Sequence, residues 1–452
     1  MSASADPQPE SPRRLSPAPR HPTAPKSAVL PKSPTGITGL DEVTRGGLPR
    51  GRPTLVTGAP GAGKTLLGAE FLARGILEYG EPGVLLTFEE SADDVRQNVA
   101  SLGFDLAALE DANQLVIDEI HLNMTDIAEA GDYDLEGLFI RLADAVDTVG
   151  ATRVVLDTLE VLFTALGDES LIRSELSRLV RWLKQRGLTT VVTGERGQEG
   201  QLTRFGIEEY VSDCVIVLDH RVKDEVMTRR LRVVKYRGSG HGTNEYPFLI
   251  TGQGLQVAPI IEGALTYPAT TQRVSTGVAR LDEMVGGGIY RGSTLLISGS
   301  AGTGKTTLAA QMIATACRHQ EQALFVSFEE SPSQLIRNMS SVGIDLGHWI
   351  GAGRLQVHAE RASSMGLEGH LERLHQVVTG ARPAIVALDA VGSLNHVAPL
   401  SEVARMVSRE VDALKSQGIT AVLTSLTHDG AAESSMVDVS SLIDTWLLLR
   451  NI

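Results

Sequence analysis

The chain has 452 residues, 42% of them hydrophobic and 21% charged, with a formal net charge of −14 and two cysteines, Cys214 and Cys317. This length predicts two globular domains that each bury a core, whereas two cysteines are too few for a disulfide framework and no apolar run is long enough to span a membrane. The negative charge argues against a protein that coats nucleic acid, because phosphate contacts need a basic surface, so we expect a cytoplasmic protein with neither a membrane nor a nucleic acid as partner.

Residues 1–33 differ in composition from the rest of the chain. They are rich in Pro, Ser, Ala and basic residues and show no apolar periodicity, which predicts a disordered tail. The excess of Arg and Lys could also mark a targeting signal, but no apolar stretch of the signal-peptide type accompanies it.

The remainder of the chain contains the same pattern twice. Residues 35–42 (TGITGLDE) return as 276–283 (TGVARLDE), 241 residues later, and the loop 58–65 (GAPGAGKT) returns at the same distance as 299–306 (GSAGTGKT). A segment that ends in FEES follows each loop. Agreement at almost constant spacing indicates an internal duplication, and we place the two domains at 34–260 and 261–452.

Short apolar runs alternate with helical stretches in each half. In the first half the predicted strands are 53–57, 84–88, 153–156, 189–193 and 214–218, and the predicted helices are 66–79, 135–149 and 171–185. This alternation predicts an α/β fold of two tandem domains, each a mainly parallel twisted sheet flanked by helices. Phosphate sites then lie at the carboxyl ends of the strands.

The two loops match the phosphate-binding pattern G-x-x-x-x-G-K-[ST] and predict that the chain binds ATP with Mg²⁺. Lys64 and Lys305 would reach the β- and γ-phosphates, and Thr65 and Thr306 would offer a hydroxyl to the metal. A glycine-rich turn without a ligand is the alternative interpretation. The glycines that would turn backbone N–H groups toward the phosphates are Gly58, Gly61 and Gly63 in the first loop and Gly299, Gly302 and Gly304 in the second.

Acidic residues follow two apolar runs in each half. Asp157 and Asp389 end predicted strands, as expected for a Walker B carboxylate that holds the Mg²⁺ shell. The adjacent acids of the FEES segments could polarise a water or hydroxyl that attacks the γ-phosphate, although a solvated acidic turn would look the same. These predicted catalytic residues are Glu89, Glu90, Glu329 and Glu330.

On these motifs the chain resembles the KaiC family, the circadian clock ATPases and autokinases of the RecA-like superfamily. The resemblance runs from about residue 35 to the last residue. It rests on 46–49 (GGLP), both loops, both FEES segments, 235–241 (KYRGSGH), 245–248 (EYPF) and 273–277 (RVSTG).

The family forms two-tiered hexamers with ATP between neighbouring subunits. The resemblance therefore implies a homo-hexamer in which Lys235, Arg237 and His241 reach a neighbour's nucleotide. A basic cluster at a Gly-rich strand end suits phosphate recognition, and a basic surface turn is the alternative. Kai-type adaptor proteins or a histidine kinase are the partners that the resemblance implies.

The halves differ near their last predicted strands. Ser440 and Ser441 stand where the first half has Glu209 and Tyr210. Since the family autophosphorylates a Ser-Thr pair at this place, the resemblance implies that these serines are phosphoacceptors and that Glu329 is the base, with Glu330 assisting. Serine pairs are also common turn residues, which is the structural alternative.

The second half departs from the family in two ways. It ends eight residues after Asp444, so we expect it to lack its own Lys-x-Arg-Gly element and the family's regulatory tail. His396 stands roughly where the family's second domain carries an arginine. We therefore expect a first domain that hydrolyses ATP and assembles the ring, and a second domain that is an impaired autokinase.

Three functions are compatible with these patterns. The leading hypothesis is a KaiC-like Mg²⁺-ATPase and serine/threonine autokinase that acts in circadian-type or signalling regulation. A RecA-like DNA-dependent motor is the alternative, although the acidic charge and the scarcity of aromatic residues oppose it. The third hypothesis is an ATP-sensing scaffold without kinase activity.

Overall fold

The computed structural model describes residues 30–120, 136–158, 160, 169–197, 203, 212–223, 226–258, 270–427 and 442–450. Most of the predicted tail, residues 1–29, lies outside them. Within the rest of the predicted tail, Lys32 and Ser33 form the short strand β1 (Lys32–Ser33), which pairs antiparallel with β2 (Leu48–Pro49). The ammonium of Lys32 donates to the carbonyl of Thr44. A two-residue strand among prolines has no periodicity that a sequence could display.

The first domain is built on a nine-stranded sheet in the order β11-β10-β9-β8-β3-β7-β6-β4-β5. All neighbours from β8 to β5 pair in parallel, and β9, β10 and β11 extend the sheet with antiparallel pairs. The strands are β3 (Pro53–Gly58), β4 (Gly83–Thr87), β5 (Leu115–Glu119), β6 (Arg153–Asp157), β7 (Thr189–Glu195), β8 (Cys214–Lys223), β9 (Val226–Tyr236), β10 (Tyr246–Thr251) and β11 (Gly254–Val257).

Helices cover both faces of this sheet because successive strand residues point to opposite sides. Leu55 packs in a core with Leu142 and Leu179, whereas its neighbour Val56 packs in a second core with Phe71. The helices are α1 (Leu40–Val43), α2 (Lys64–Tyr79), α3 (Ala92–Ala100), α4 (Leu106–Asp111), α5 (Glu136–Val149) and α6 (Glu169–Gln185).

The second domain repeats this plan. Its six described sheet strands are all parallel and lie in the order β16-β15-β17-β18-β14-β19, with a core on each face. The strands are β12 (Arg273–Val274) and β13 (Ile289–Tyr290), which form a separate pair, β14 (Thr294–Gly299), β15 (Ala323–Ser327), β16 (Leu355–Ala359), β17 (Ile385–Asp389), β18 (Thr420–Leu426) and β19 (Thr445–Leu449). The helices are α7 (Ala279–Met284), α8 (Lys305–Arg318), α9 (Pro332–Ser341), α10 (Leu346–Gly351), α11 (Leu367–Ala381) and α12 (Leu400–Ser416), with 3₁₀ helices at Ala362–Ser364 and Val391–His396.

Equivalent contacts recur in the two domains. The ammonium of Lys184 lies 2.5 Å from Asp213, and that of Lys415 lies 2.7 Å from Asp444. Each pair ties the C-terminal end of a long helix to the segment before the strand beside the phosphate-binding loop. The predicted α/β fold of two tandem, mainly parallel domains is confirmed.

The domains also touch one another through β9. Arg230 lies 2.8 Å from Glu368 on α11 and 3.7 Å from Glu402 on α12, in a small cleft that Pro247 and Arg409 help to line. Charged side chains of both domains therefore meet next to the last strands of the first sheet.

Both cysteines, Cys214 and Cys317, are buried and free of disulfide bonds. Among the residues that the structure describes, no helix has the length and apolar character needed to cross a membrane.

Candidate nucleotide-binding sites

The two phosphate-binding loops adopt the same backbone conformation. Gly61 and Gly63 have φ angles of 75° and 99°, and Gly302 and Gly304 have φ angles of 76° and 89°. These values lie in the left-handed region, which glycine enters without steric cost. The helices α2 and α8 begin at the loop lysines, so each loop is followed by a helix N-terminus, which attracts anions.

The first glycine of each loop serves close packing. A Cβ atom added to Gly58 would stand 2.6 Å from the carbonyl oxygen of Leu218, and one added to Gly299 would stand 2.6 Å from that of Leu449. Any side chain there would push the loop away from the adjacent strand. The loop glycines therefore fit a nucleotide-binding loop in two different ways.

The loop lysines lie over their own loops. The Nζ atom of Lys64 donates to the carbonyls of Gly58 at 3.1 Å and Ala59 at 3.3 Å, and that of Lys305 donates to Ser300 at 2.7 Å. Burial lowers the pKa of Lys305, and this effect is opposed by nearby acidic groups. Both ammonium groups are thus held at the mouth of the loop, where a phosphate would bind.

A threonine and an aspartate converge behind the second loop. Thr306 Oγ1 lies 3.0 Å from Asp389 Oδ2, and Thr424 donates to Oδ1 of the same carboxylate. Burial raises the pKa of Asp389, while the two threonine hydrogen bonds oppose the rise. Hard oxygen donors of this kind suit Mg²⁺, which usually shares its shell with substrate phosphates, so the residues present fit the metal.

The first loop opens into a cavity of about 600 Å³. Its lining brings together seven of the predicted site residues: Gly61, Gly63, Lys64, Thr65, Glu89, Glu90 and Asp157. Thr193 donates to Asp157, as Thr424 does to Asp389. The lining also contains residues that the sequence reasoning missed, namely Asn98, Ser101, Thr158, Glu195, Arg229 and Ile250.

Arg229 adds a positive charge to this lining, and one N–H group of its guanidinium is unpaired within the described part of the chain. Its buried Nε atom has no hydrogen-bond partner among the described residues. The Nε atom is itself enclosed, but the Arg229 side chain lines the cavity, so its guanidinium group is a candidate contact for a bound anion. Neither motif nor repeat spacing marks this residue in the sequence.

Each FEES segment divides into a structural and a chemical part. Ser91 caps α3 and Ser331 caps α9, each by accepting a backbone N–H three residues on. Asn98 donates to Glu90 at 3.3 Å, and Asn338 donates to Glu330 at 3.2 Å. Each asparagine stands eight residues after its glutamate, so the repeat itself was the signal that could have found them.

The carboxylates of the first cavity influence one another. Burial raises the pKa of Glu89, and the neighbouring carboxylates of Glu195 and Asp157 raise it further. Burial also raises the pKa of Glu90, again with help from Asp157. Groups whose pKa values are moved by burial and like charges are typical of sites that transfer protons.

The second site lacks counterparts of two acidic residues of the first domain, Glu160 and Glu195. Counting from Asp157 and Asp389, buried Glu160 corresponds to Gly392; counting from Thr193 and Thr424, Glu195 corresponds to Leu426. In the first domain Glu160 accepts from the hydroxyl of Thr158 and the backbone N–H of Glu195. In the second domain Ser393 instead donates to Glu329 at 2.6 Å.

The remaining predicted residues lie elsewhere. Lys235, Arg237 and His241 do not line the first cavity; Lys235 is on β9, and the other two follow that strand, with Arg237 exposed and 4.0 Å from Asp213. His396 is exposed at the end of its 3₁₀ helix. The predicted phosphoacceptors and their first-half counterparts, Ser440, Ser441, Glu209 and Tyr210, lie outside the described residues.

Known proteins are similar to this chain along nearly its whole length. The profile of the family described as "ATPase: KaiC" matches residues 33–262 and 274–451. The circadian clock protein KaiC2 of Synechocystis sp. is 50% identical over 431 residues, covering 94% of this chain and 76% of that protein. The circadian clock oscillator protein KaiC of Synechococcus elongatus is 38% identical over 425 residues, covering 93% of this chain and 82% of that protein. The duplicated loops, the parallel sheets and these matches agree, and the chain belongs to the KaiC family of ATPases.

Proposed function

We propose that this protein is a Mg²⁺-dependent ATPase and serine autokinase that works as a hexamer with ATP bound between subunits. Its membership of a family of circadian clock ATPases supports an ATPase in circadian-type regulation. The observation that carries the chemical part of the proposal is the convergence of Thr306, Asp389 and Lys305 on one loop, with Glu329 nearby.

Hydrolysis is assigned to the first site. The loop N–H groups and Lys64 would bind the phosphates, and Thr65 and Asp157 would hold the Mg²⁺ shell. Mg²⁺ would neutralise charge on the β- and γ-phosphates when bound. Glu89 takes the proton of the attacking water, whose oxygen forms the new bond to the γ-phosphorus while ADP leaves. Glu90, held by Asn98, completes the acidic wall of the cavity.

Autophosphorylation is assigned to the second site. Glu329 takes the proton from the hydroxyl of Ser440 or Ser441 of a neighbouring subunit, whose oxygen forms the new bond to the γ-phosphorus while ADP leaves. Two features support this step: the hydroxyls of this pair stand opposite an acid and a phenol in the first half, and the resemblance to the family implies phosphoacceptors here.

Assembly into a ring explains the position of the basic cluster. Lys235, Arg237 and His241 do not line the cavity of their own chain, so the proposal places them against the nucleotide of the next subunit. A Kai-type adaptor or a histidine kinase would read the phosphorylation state, as the resemblance to the family implies.

Intact-mass measurement after incubation with ATP and Mg²⁺ tests the kinase. We expect one or two added phosphates, which disappear when Ser440→Ala and Ser441→Ala are combined and persist when the nearby pair Ser434→Ala and Ser435→Ala is changed. An unmodified parent chain, or phosphate that survives the first double substitution, would overturn the autokinase assignment.

Light scattering with and without ATP tests the assembly. We expect an ATP-dependent hexamer, and we expect Arg237→Ala to weaken it or to slow hydrolysis. A monomer at all ATP concentrations would contradict the ring. Stimulation of turnover by single-stranded DNA would favour the motor hypothesis instead, and partner capture that survives Glu89→Gln with Glu90→Gln would favour the scaffold.

A further inference from the structure

The hydroxyl of Ser393 is bonded to the proposed catalytic base of the second site. Its Oγ atom donates a 2.6 Å hydrogen bond to Oε1 of Glu329. A hydrogen bond to a carboxylate is short and roughly twice as strong as one between neutral groups. The bond joins two segments that are 64 residues apart in sequence, the FEES segment after β15 and the 3₁₀ helix after β17.

Ser393 is held in place by its own segment. The 3₁₀ helix Val391–His396 follows Asp389 at the end of β17, and its side chains Val391 and Leu394 are buried in the core on that face of the sheet. The backbone N–H of Ser393 donates to the carbonyl of Ala390 at 3.1 Å. Because the backbone of Ser393 is held and its side chain is short, the position of the hydroxyl is well defined.

Glu329 benefits from such a partner because its carboxylate is at the exposed end of a flexible side chain. Ordering a glutamate side chain costs rotamer entropy, which a fixed hydrogen-bond partner offsets. Its neighbour Glu330 is already held by Asn338. A bond from Ser393 to one oxygen of Glu329 leaves the other oxygen available to accept a proton.

The first domain uses a different arrangement. The residue that corresponds to Ser393 is Val161, which carries no hydroxyl and lies outside the described residues. There, buried Glu160 holds the end of β7 through the backbone N–H of Glu195, whose carboxylate faces Glu89. The hydrogen bond that holds Glu329 therefore has no equivalent at the matching position of the first domain, although the loops beside the two proposed bases are alike.

We propose that Ser393 is a positioning residue of the second site, which fixes the carboxylate of Glu329 for proton abstraction without contacting the nucleotide itself. This inference rests on the proposed function, because it takes Glu329 to be the base. It predicts that removal of the hydroxyl slows the chemical step and leaves ATP binding intact.

The test uses the full chain with Glu89→Gln and Glu90→Gln, so that the second site alone turns over ATP. The initial rate at which phosphate is added to the chain, followed by intact mass over a range of ATP concentrations, gives kcat and KM for the phosphoryl transfer. We expect Ser393→Ala to lower kcat about tenfold, the effect of one hydrogen bond to a charged group, with KM for ATP within about twofold of the parent. Ser393→Thr keeps the hydroxyl and should restore most of kcat. The control Ser416→Ala, whose hydroxyl donates to the carbonyl of Ala413 at the end of α12, should behave like the parent.

Each other outcome has a definite meaning. Three results would overturn the positioning role and leave the proposed function standing. They are an unchanged kcat in Ser393→Ala, a kcat in Ser393→Thr as low as in Ser393→Ala, and a change confined to KM. Phosphate mapped to Ser393 itself after ATP incubation would also overturn it, since the residue would then be an acceptor. A parent chain without second-site turnover or phosphorylation would overturn the proposed activity of this domain together with the role of Ser393.

Discussion

Arg229 and Arg230 are consecutive on β9 but serve different domains. Arg229 lines the cavity beside the first loop, and Arg230 lies 2.8 Å from Glu368 of the second domain. Neighbouring side chains of a strand point to opposite faces, which is how one short segment reaches both places. A shift of β9 caused by a ligand on Arg229 would therefore act directly on the contact between the domains.

We expect the pair Arg230–Glu368 to contribute measurably to stability. Its side chains are 19% and 10% exposed, so solvent screens their attraction less than at the surface. A double-mutant cycle with Arg230→Ala and Glu368→Ala, followed by denaturant unfolding, should give a coupling energy of about 1–2 kcal/mol. The pair Arg221–Glu245, 52% and 40% exposed, is the control and should give below about 1 kcal/mol. Equal coupling in both cycles would contradict this prediction.

A buried acid in the second domain should make its stability depend on pH. Glu410 is 4% exposed and occupies the helical position at which the first domain has Leu179. Burial raises its pKa from 4.5 to about 7. The folded state therefore binds a proton that the unfolded state has released, and stability falls as pH rises from about 4.5 to about 7. One pKa unit corresponds to about 1.4 kcal/mol, so the loss amounts to roughly 3 kcal/mol.

Replacement of Glu410 tests this effect. Glu410→Leu should stabilise the protein by roughly 3 kcal/mol more at pH 8 than at pH 4, as measured by denaturant unfolding at both values. Glu410→Gln, which keeps the size of the side chain but cannot titrate, should show the same loss of pH dependence. If neither substitution changes the pH dependence, the carboxyl titrates normally.

Hydrolysis at the first site should fail at low pH. Burial, Glu195 and Asp157 all raise the pKa of Glu89, and a base must be unprotonated to act, so the rate falls as pH decreases through that raised pKa. Glu195→Gln removes one negative charge, lowers the pKa of Glu89 and should move the acidic limb of the rate profile to lower pH. Initial rates of phosphate release in a Lys305→Ala background measure this. The surface substitution Glu245→Gln should not change the pH at which the rate falls. If Glu195→Gln does not change that pH either, Glu89 is not the base.

Arg153 should be a strong stability determinant of the first domain. Its side chain is fully buried, pairs with Glu81 at 2.6 Å and donates to the carbonyls of Phe71 and Pro34 at 2.8 Å. Arg153→Met leaves these acceptors without a donor and should cost on the order of 3 kcal/mol in the free energy of unfolding. Arg141→Met, at a half-exposed ion pair with Asp118, is the control and should cost less than about 1 kcal/mol. Similar losses for both would show that burial adds nothing at Arg153.

The sequence was informative wherever chemistry and periodicity coincide. The backbone of a phosphate-binding loop requires its glycines and lysine, and strand order places the strand-ending aspartate beside that loop. The sequence alone could therefore predict that Lys64, Thr65 and Asp157 lie in one site. Arg229 and Glu195 could not, since they reach the cavity from strands whose spacing from the loop is set by the fold of intervening segments. The short strand Lys32–Ser33 could not be predicted either, because tertiary contacts rather than local propensity make it a strand.

Two hydrogen bonds of the first site recur at matching positions of the second. Asn98 with Glu90 and Asn338 with Glu330 form the same hydrogen bond at matching positions, as do Thr193 with Asp157 and Thr424 with Asp389. Contacts shared by both halves are most simply inherited from the single domain that was duplicated. The hydrogen bond from Ser393 to Glu329 has no counterpart at Val161, which carries no hydroxyl, so this contact was gained in one copy or lost from the other after the duplication.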